Sequence, residues 1–309
     1  MQNAPDFQNI KVEELKHWLD VGKDVSIIDT LPREVYEQRH LPGAESACVY
    51  EVAFPDAVKE IVTDRRAEIV VYGSSSASKD AETAAEKLAR LGYEKVYALE
   101  GGIADWQRAS LPVEGEATDG PEDAGTRLKL ADCDYKVDLN QSVIEWTGRN
   151  PNGKHHGTIQ LSSGEIKVAD ETVNGFFEID MRSIKNIDLR GDELEPVLIA
   201  HLESDDFFFV KMFPKARFVI KSAKPVSEPT LSSPNLEVEG TLELRRVKRE
   251  VSFFATVSHL ADGGISAEAH FDFDRTSWNV IYGSSKFFEH LGMHLVFDPI
   301  SVQVRIVAL

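Results

Sequence analysis

Few side chains in this chain of 309 residues are placed where they could do chemistry. The first group is Gly73-Ser74-Ser75-Ser76-Ala77-Ser78, small and polar throughout. It follows a continuous apolar run, Ile69-Val70-Val71-Tyr72, and precedes a stretch whose apolar positions Ala81, Ala84, Ala85, Leu88 and Leu91 recur at three- and four-residue steps. The run reads as a strand buried on both faces and the stretch as an amphipathic helix. A loop joining such a strand to a helix start aims backbone N–H groups at one point, a cradle for an anion or for an acidic thiolate. This loop holds no thiol, and no histidine to activate its serines. Gly73 to Ser78, with Asp29 at the end of a neighbouring buried strand, therefore predict an anion-binding element with no catalytic group. Asp80 and Glu82 in the first turn of the helix compete for the same positive end of its dipole.

The remaining reactive groups are scattered. Cys48 and Cys133 lie far apart and suggest neither a disulfide framework nor a metal knuckle. Cys48 reads as a small buried residue. His155 and His156 point to opposite sides if they share a strand, so at most one faces inward. A metal site combining either of them with His201 and His290 lacks any compact ligand spacing. No metal is expected.

The elements that must carry these groups change character along the chain. In the first part, apolar runs at 25–28, 69–72 and 96–99 alternate with helical patterns near 12–19, 33–39, 56–63, 81–91 and 103–109. Strands alternating with helices predict a parallel sheet covered on both faces, with ligands gathering beyond the carboxyl ends of its strands. Residues 114–134 are rich in Gly, Pro and acid and read as a spacer. From Tyr135 onwards apolar and polar residues alternate strictly, as in Leu236–Arg245, Ala267–Asp274 and Ser301–Ala308. Further candidate strands are 143–149, 157–161, 165–169, 173–181, 216–222 and 251–260. Period two with one wet face predicts antiparallel strands, and eight or so of them favour a closed barrel without exposed edges. Residues 193–203 interrupt the strands with a helical pattern.

Charge narrows the partners. The formal net charge is −18, so nucleic acid and an anionic membrane surface are both disfavoured. No apolar run approaches the roughly 18–20 residues that span a bilayer. The stretch MQNAPDFQNI has neither a basic cluster nor an apolar core, and a soluble cytoplasmic protein is expected.

Two resemblances emerge from these segments. IIDT, EVYEQRHLPGA, VVYGSSSASKDAETAAEKLARLGYEKVYALEGGIADW and LPVE, in that order, resemble a single rhodanese domain over about residues 8–115. The resemblance implies sulfur carried as a persulfide on a cysteine that opens the loop after the central strand. Gly73 stands at that position, and Leu31 stands where the family commonly has an arginine. It therefore implies a sulfurtransferase fold without its nucleophile, left to sense anions or to dock a protein partner. The segments YKVDLNQSVIEWTG, HHGTIQLSSGEI, FFEIDMRSI, HLESDDFFFVKMFPKARF, VEGTLELRRVKREV and FDRTSWNVIYGSSKFFEHL resemble the YceI-like family over about residues 133–309. That resemblance implies an elongated, lipocalin-like barrel whose interior accepts a long apolar chain such as a polyisoprenoid. Many relatives carry a signal peptide.

Strand parity, applied to that barrel, turns Trp146, Phe177, Ile179, Phe218, Ile220, Phe271 and Phe273 inward, with Phe207, Phe208, Phe287 and Phe288 near an end. The expected organisation is a rhodanese-like α/β domain at 1–115, an acidic linker at 116–132 and a YceI-like all-β barrel at 133–309. The expected function is non-catalytic binding of an apolar or amphiphilic small molecule of isoprenoid, quinone or fatty-acid type. Two other readings stay open. One is a sulfurtransferase-type enzyme using Cys48 as a relocated thiol; the other is an interaction protein whose barrel is filled by its own side chains.

Overall fold

The computed structural model describes residues 7–116, 128–170, 172–227, 229–230, 232–260 and 262–309. Residues 1–6 of the expected first domain and 117–127 of the expected linker lie outside the described residues. The chain divides into two compact units, Met1–Glu122 and Asp123–Leu309.

The first unit is built on strands β1 (Gln8–Ile10), β2 (Ser26–Asp29), β3 (Glu45–Ser46), β4 (Glu68–Tyr72) and β5 (Lys95–Leu99). Their order is β1-β5-β4-β2-β3, and every neighbouring pair is parallel. β4 takes the centre because its apolar run has no wet side: Ile69, Val70, Val71 and Tyr72 are all fully buried. Alternation along β4 then defines two packed layers. Ile69 and Val71 meet Phe54 and Val58 of α3 (Phe54–Ile61) and Ala84, Ala85 and Leu88 of α4 (Asp80–Arg90). Val70 and Tyr72 meet Leu15 of α1 (Val12–Asp20) and Trp106 of α5 (Gly102–Arg108). Helices thus cover both faces of the sheet, as the alternating pattern requires, while α2 (Arg33–Gln38) buries no residue fully. The helix expected at 56–63 starts earlier, because Pro55 occupies its first turn, where a missing N–H is harmless. β1 and β3 escape the sequence reading altogether. They are three and two residues long, too short for any period to show.

The second unit is a closed, eight-stranded antiparallel barrel. Its strands are β7 (Val143–Asn150), β8 (Gly153–Ala169), β9 (Thr172–Asn186), β10 (Lys215–Pro225), β11 (Leu236–Leu244), β12 (Val247–His259), β13 (Ile265–Asp274) and β14 (Pro299–Ala308). They run β8-β7-β14-β13-β12-β11-β10-β9, and β9 pairs back to β8; β6 (Asp134–Lys136) lies beside β8. The segments expected as separate strands at 157–161 and 165–169 are one strand. Across Ser162, Ser163 and Gly164 the pairing continues, through register shifts at Thr158/Gln160 and Leu161/Ser163. Such bulges bend a strand without ending it, and closure of a barrel needs that bend.

Antiparallel order fixes what gathers at one end of the barrel. The Asn150–Gly153 turn, the β9–β10 connection with α6 (Glu195–Glu203), the Arg245-Arg246 turn and the connection from Arg275 to Asp298 all meet there. Among the described residues no helix is long and apolar enough to cross a membrane.

Candidate functional site

A carboxylate of the chain itself enters the loop after β4. Asp80, the first residue of α4, turns its carboxylate back into the loop. Ser74 donates to Asp80 Oδ2 through its amide (3.2 Å) and its hydroxyl (3.1 Å). The Tyr50 hydroxyl donates to Asp80 Oδ1. Three further amides are taken locally: Ala77 N–H reaches Ser75 Oγ (3.3 Å), Ser78 N–H reaches the Ser75 carbonyl (3.1 Å) and Asp80 N–H reaches Ser78 Oγ (3.4 Å). Of the N–H groups expected to converge from Gly73, Ser74, Ser75, Ser76, Ala77 and Ser78, those of Ser74, Ala77 and Ser78 have acceptors within the chain. A carboxylate six residues past Ser74 supplies the negative charge that the cradle would otherwise draw from solution.

Electrostatics agree with the geometry. Burial alone would raise the Asp80 carboxyl, but hydrogen bonds from Ser78, Tyr50 and Ser74 outweigh it and hold the group below the usual carboxylate range. The same contact, added to burial, pushes the Tyr50 phenol up to about 12. Asp29 sits apart from this arrangement in character. It is fully buried, accepts the Leu31 N–H at 2.8 Å, and is pushed upward by burial against the pull of Tyr72 and Leu31. Cys48 is 9% exposed, and the Glu51 amide donates to its carbonyl at 3.2 Å.

The second unit encloses a cavity of about 450 Å³. Its wall is made by the inward sides of the strands, and Trp146, Phe177, Ile179, Phe218, Ile220, Phe271 and Phe273 all line it, together with Phe207 and Phe208. Aromatic rings form a belt across adjacent strands. Ring centroids lie 6.5 Å apart for Phe177 and Phe218, 5.6 Å for Phe218 and Phe253, and 4.4 Å for the stacked pair Phe253 and Phe271. Gly240 on the intervening strand makes this belt possible, since a β-carbon there would stand 2.2 Å from Phe218 Cζ. Phe253 is missing from the expected lining although the alternation Val251, Phe253, Ala255, Val257 carries the signal.

Phe287 and Phe288 are placed differently. They are 53% and 44% exposed, and they are absent from the cavity wall. Their amides both donate to the Ser284 carbonyl at 3.1 Å, so they belong to a surface turn that no strand parity governs.

Connections supply lining that periodicity could not reveal. Leu198, His201 and Leu202 come from α6, and Tyr282, Met293 and His294 from the segment after β13. That segment is braced by Arg275, which is 1% exposed and donates to the carbonyls of Val280 (2.6 Å), Val296 (3.0 Å) and Phe297 (3.2 Å). Of the paired histidines, His155 lines the cavity, with Nδ1 2.8 Å from Asp188 Oδ2. Burial works against Asp188, but the His156 amide, the His155 ring and Asn186 outweigh it and bring the carboxyl down to about 2. His290 is exposed. Among the described residues no three His, Cys, Asp or Glu side chains are grouped as metal ligands.

Comparison with known proteins follows the two units. The family model of the YceI-like domain matches residues 135–308, and that of the rhodanese-like domain matches residues 11–109. The thiosulfate sulfurtransferase GlpE of Pseudoalteromonas translucida is 31% identical over 103 residues, 33% of this chain and 91% of that protein. A helix-turn-helix-type transcriptional regulator of Mycobacterium tuberculosis is 33% identical over 100 residues, 32% of this chain. This chain spans 42% of the regulator's length. A solved polyisoprenoid binding domain from Saccharophagus degradans shares 15% identity and a TM-score of 0.42, over 56% of this chain and 97% of that one.

Proposed function

The chain belongs to the YceI-like family, with a rhodanese-like domain ahead of its barrel, and from that premise we propose that it is a non-catalytic carrier of a long-chain apolar or amphiphilic molecule. The binding module is assigned to residues 133–309, the rhodanese-like module to 1–115, and 116–132 is the spacer between them. The observation that carries the reading is the cavity of about 450 Å³ walled by inward-facing Phe, Ile, Leu and Val side chains. A chain of isoprenoid, quinone or fatty-acid type entering it gains about 0.8 kcal/mol per methylene withdrawn from water. No bond needs to be made or broken for that gain.

The rhodanese-like module is read as a docking element without sulfur chemistry. Gly73 offers no side chain for a persulfide, and the Asp80 carboxylate engages the loop that would hold an anion. Docking is therefore favoured over anion sensing. The test is purification in the absence of detergent, followed by solvent extraction and mass spectrometry, with a fluorescent long-chain probe titrated into the extracted protein. An extracted lipid and saturable probe binding support the carrier. Neither signal, or thiocyanate formed from thiosulfate and cyanide and lost in Cys48→Ala, would overturn it.

A further inference from the structure

Among the described residues, one side chain that lines the cavity comes from ahead of the barrel strands. Leu130 belongs to the end of the acidic spacer, before β6, yet it borders the cavity together with Ile166, Val173, Leu236 and Ile265. Leu128 packs against the same apolar core, while Lys129 between the two leucines is exposed. Two hydrogen bonds show where this segment runs. The Val168 amide, near the end of β8, donates to the Cys133 carbonyl at 2.9 Å, and Nε2 of His259, the last residue of β12, lies 2.9 Å from the Lys129 carbonyl. In the closed order of strands β12 stands four places from β8 in either direction, so the two are on opposite walls. Strands an even number of places apart in an antiparallel barrel run the same way, which puts Ala169 and His259 at the same rim. Residues 129–133 therefore cross that end of the barrel from wall to wall. Four residue steps reach at most about 13–14 Å, a span suited to the narrow interior of a small barrel.

The crossing segment is lightly held. Residues 128–130 have no regular secondary structure, and both leucines are only partly buried. Among the described residues the contact of Lys129 with His259 is the one hydrogen bond that ties residues 128–130 to the barrel, and the His259 side of it is exposed. The opposite rim is covered in a different manner, by α6 and by the connection that the buried Arg275 pins to three carbonyls. Segments with few buried contacts and few hydrogen bonds lie at the low-stability end of a fold and open before the rest. The strap also lies outside residues 135–308, the part that matches the YceI-like domain. It belongs to the way this chain joins its barrel to what precedes it.

We infer that residues 128–130 are a movable stopper: the end of the spacer seals the barrel at the β8–β9 end and lifts away to open the cavity to solvent. The seal is a property of the chain itself, so its test needs no ligand and stands apart from the carrier reading. Ala223 lines the cavity and serves as the reporting position. In the full chain, Ala223→Cys is combined with Cys48→Ala and Cys133→Ser, which remove the two native thiols. Labelling by N-ethylmaleimide is then followed by intact mass, with the melting temperature confirming that each variant is folded. The thiol at residue 223 is expected to label slowly in this background. Adding Leu128→Ser and Leu130→Ser should accelerate labelling at least about tenfold, and His259→Ala, which removes only the hydrogen bond, about two- to fivefold. Labelling of the background as fast as that of the chain unfolded in urea would show that nothing seals this end. Rates equal within about twofold in the folded variants would likewise overturn the stopper. His259→Ala, a change at an exposed side chain, decides the matter alone should the serine pair not fold.

Discussion

Asp80 occupies the space into which a side chain on Gly73 would grow. A β-carbon on Gly73 would stand 2.4 Å from Asp80 Cβ and 2.7 Å from its Oδ2. The clash is with the root of the aspartate as well as its tip, so rotation of Asp80 alone does not relieve it. A side chain at residue 73 and the carboxylate of residue 80 in its present place therefore exclude one another.

Restoring the thiol alone should therefore fail. Gly73→Cys is expected to destabilise the first unit by about 1–3 kcal/mol through overpacking and to form no thiocyanate. Gly73→Cys combined with Asp80→Gly frees both the space and the Ser74 amide, and should accept one sulfur atom from thiosulfate, visible in the intact mass. A single variant that loads sulfur as well as the double would show that Asp80 is no barrier.

The Tyr50–Asp80 contact also gives the first unit a pH signature at both ends of the scale. Tyr50 titrates at about 12 in the folded chain against about 10 unfolded, so its contribution is complete below about pH 10 and disappears as pH rises toward about 12. Asp80 is held below its ordinary value, so its contribution is present above the usual carboxylate range and is lost as pH falls through the lowered value. Melting temperatures measured across pH should show the alkaline decline between about 10 and 12 reduced in Tyr50→Phe. An unchanged alkaline limb would mean that the hydrogen bond contributes nothing.

Strand parity makes much of this molecule readable, and its reach ends where strands end. Because side chains alternate with period two, the inward direction of Phe177, Phe218, Phe271 and Phe273 is legible from sequence once the strands are placed. The rule says nothing about Phe287 and Phe288, whose direction is set by a turn around Ser284, nor about Tyr282 and His294, which reach the cavity from the same long connection. Asp80 is a partial case. Its place in the first turn of α4 is legible as an acid competing for the helix dipole, whereas its contact with Gly73 depends on how α4 is phased against β4. Tyr50 carries no sequence signal at all, since a residue between β3 and α3 meets α4 only through the fold.

Arg275 should prove to be the residue on which the connection between β13 and β14 depends. Its guanidinium is buried, is pushed below its usual range by that burial, and answers three backbone carbonyls together with Asp298 at 3.9 Å. Arg275→Met keeps the bulk and leaves those acceptors unmet, which should lower stability by about 3–5 kcal/mol. Arg275→Lys should recover little, because an ammonium cannot fork to carbonyls on both sides of the segment. Urea unfolding of the second unit measures this directly, and a loss below about 1 kcal/mol in Arg275→Met would contradict it.

Gly148 offers a way to close the cavity without disturbing its frame. It lies on the inward side of β7, opposite His155, and borders the cavity. A β-carbon there would meet only Ile300 Cδ1, at 3.8 Å, an ordinary contact. Gly148→Phe can therefore project its ring into the cavity while the strand itself gains a residue better suited to a β-sheet, so stability should hold or rise by about 0.5–1 kcal/mol. Long-chain probe binding should fall at least about tenfold, because the ring takes volume that the chain needs. The pairing of those two results matters more than either alone. Lost binding with intact stability means that the interior is the binding site; retained binding in a folded Gly148→Phe variant would move the ligand outside the barrel and defeat the carrier reading.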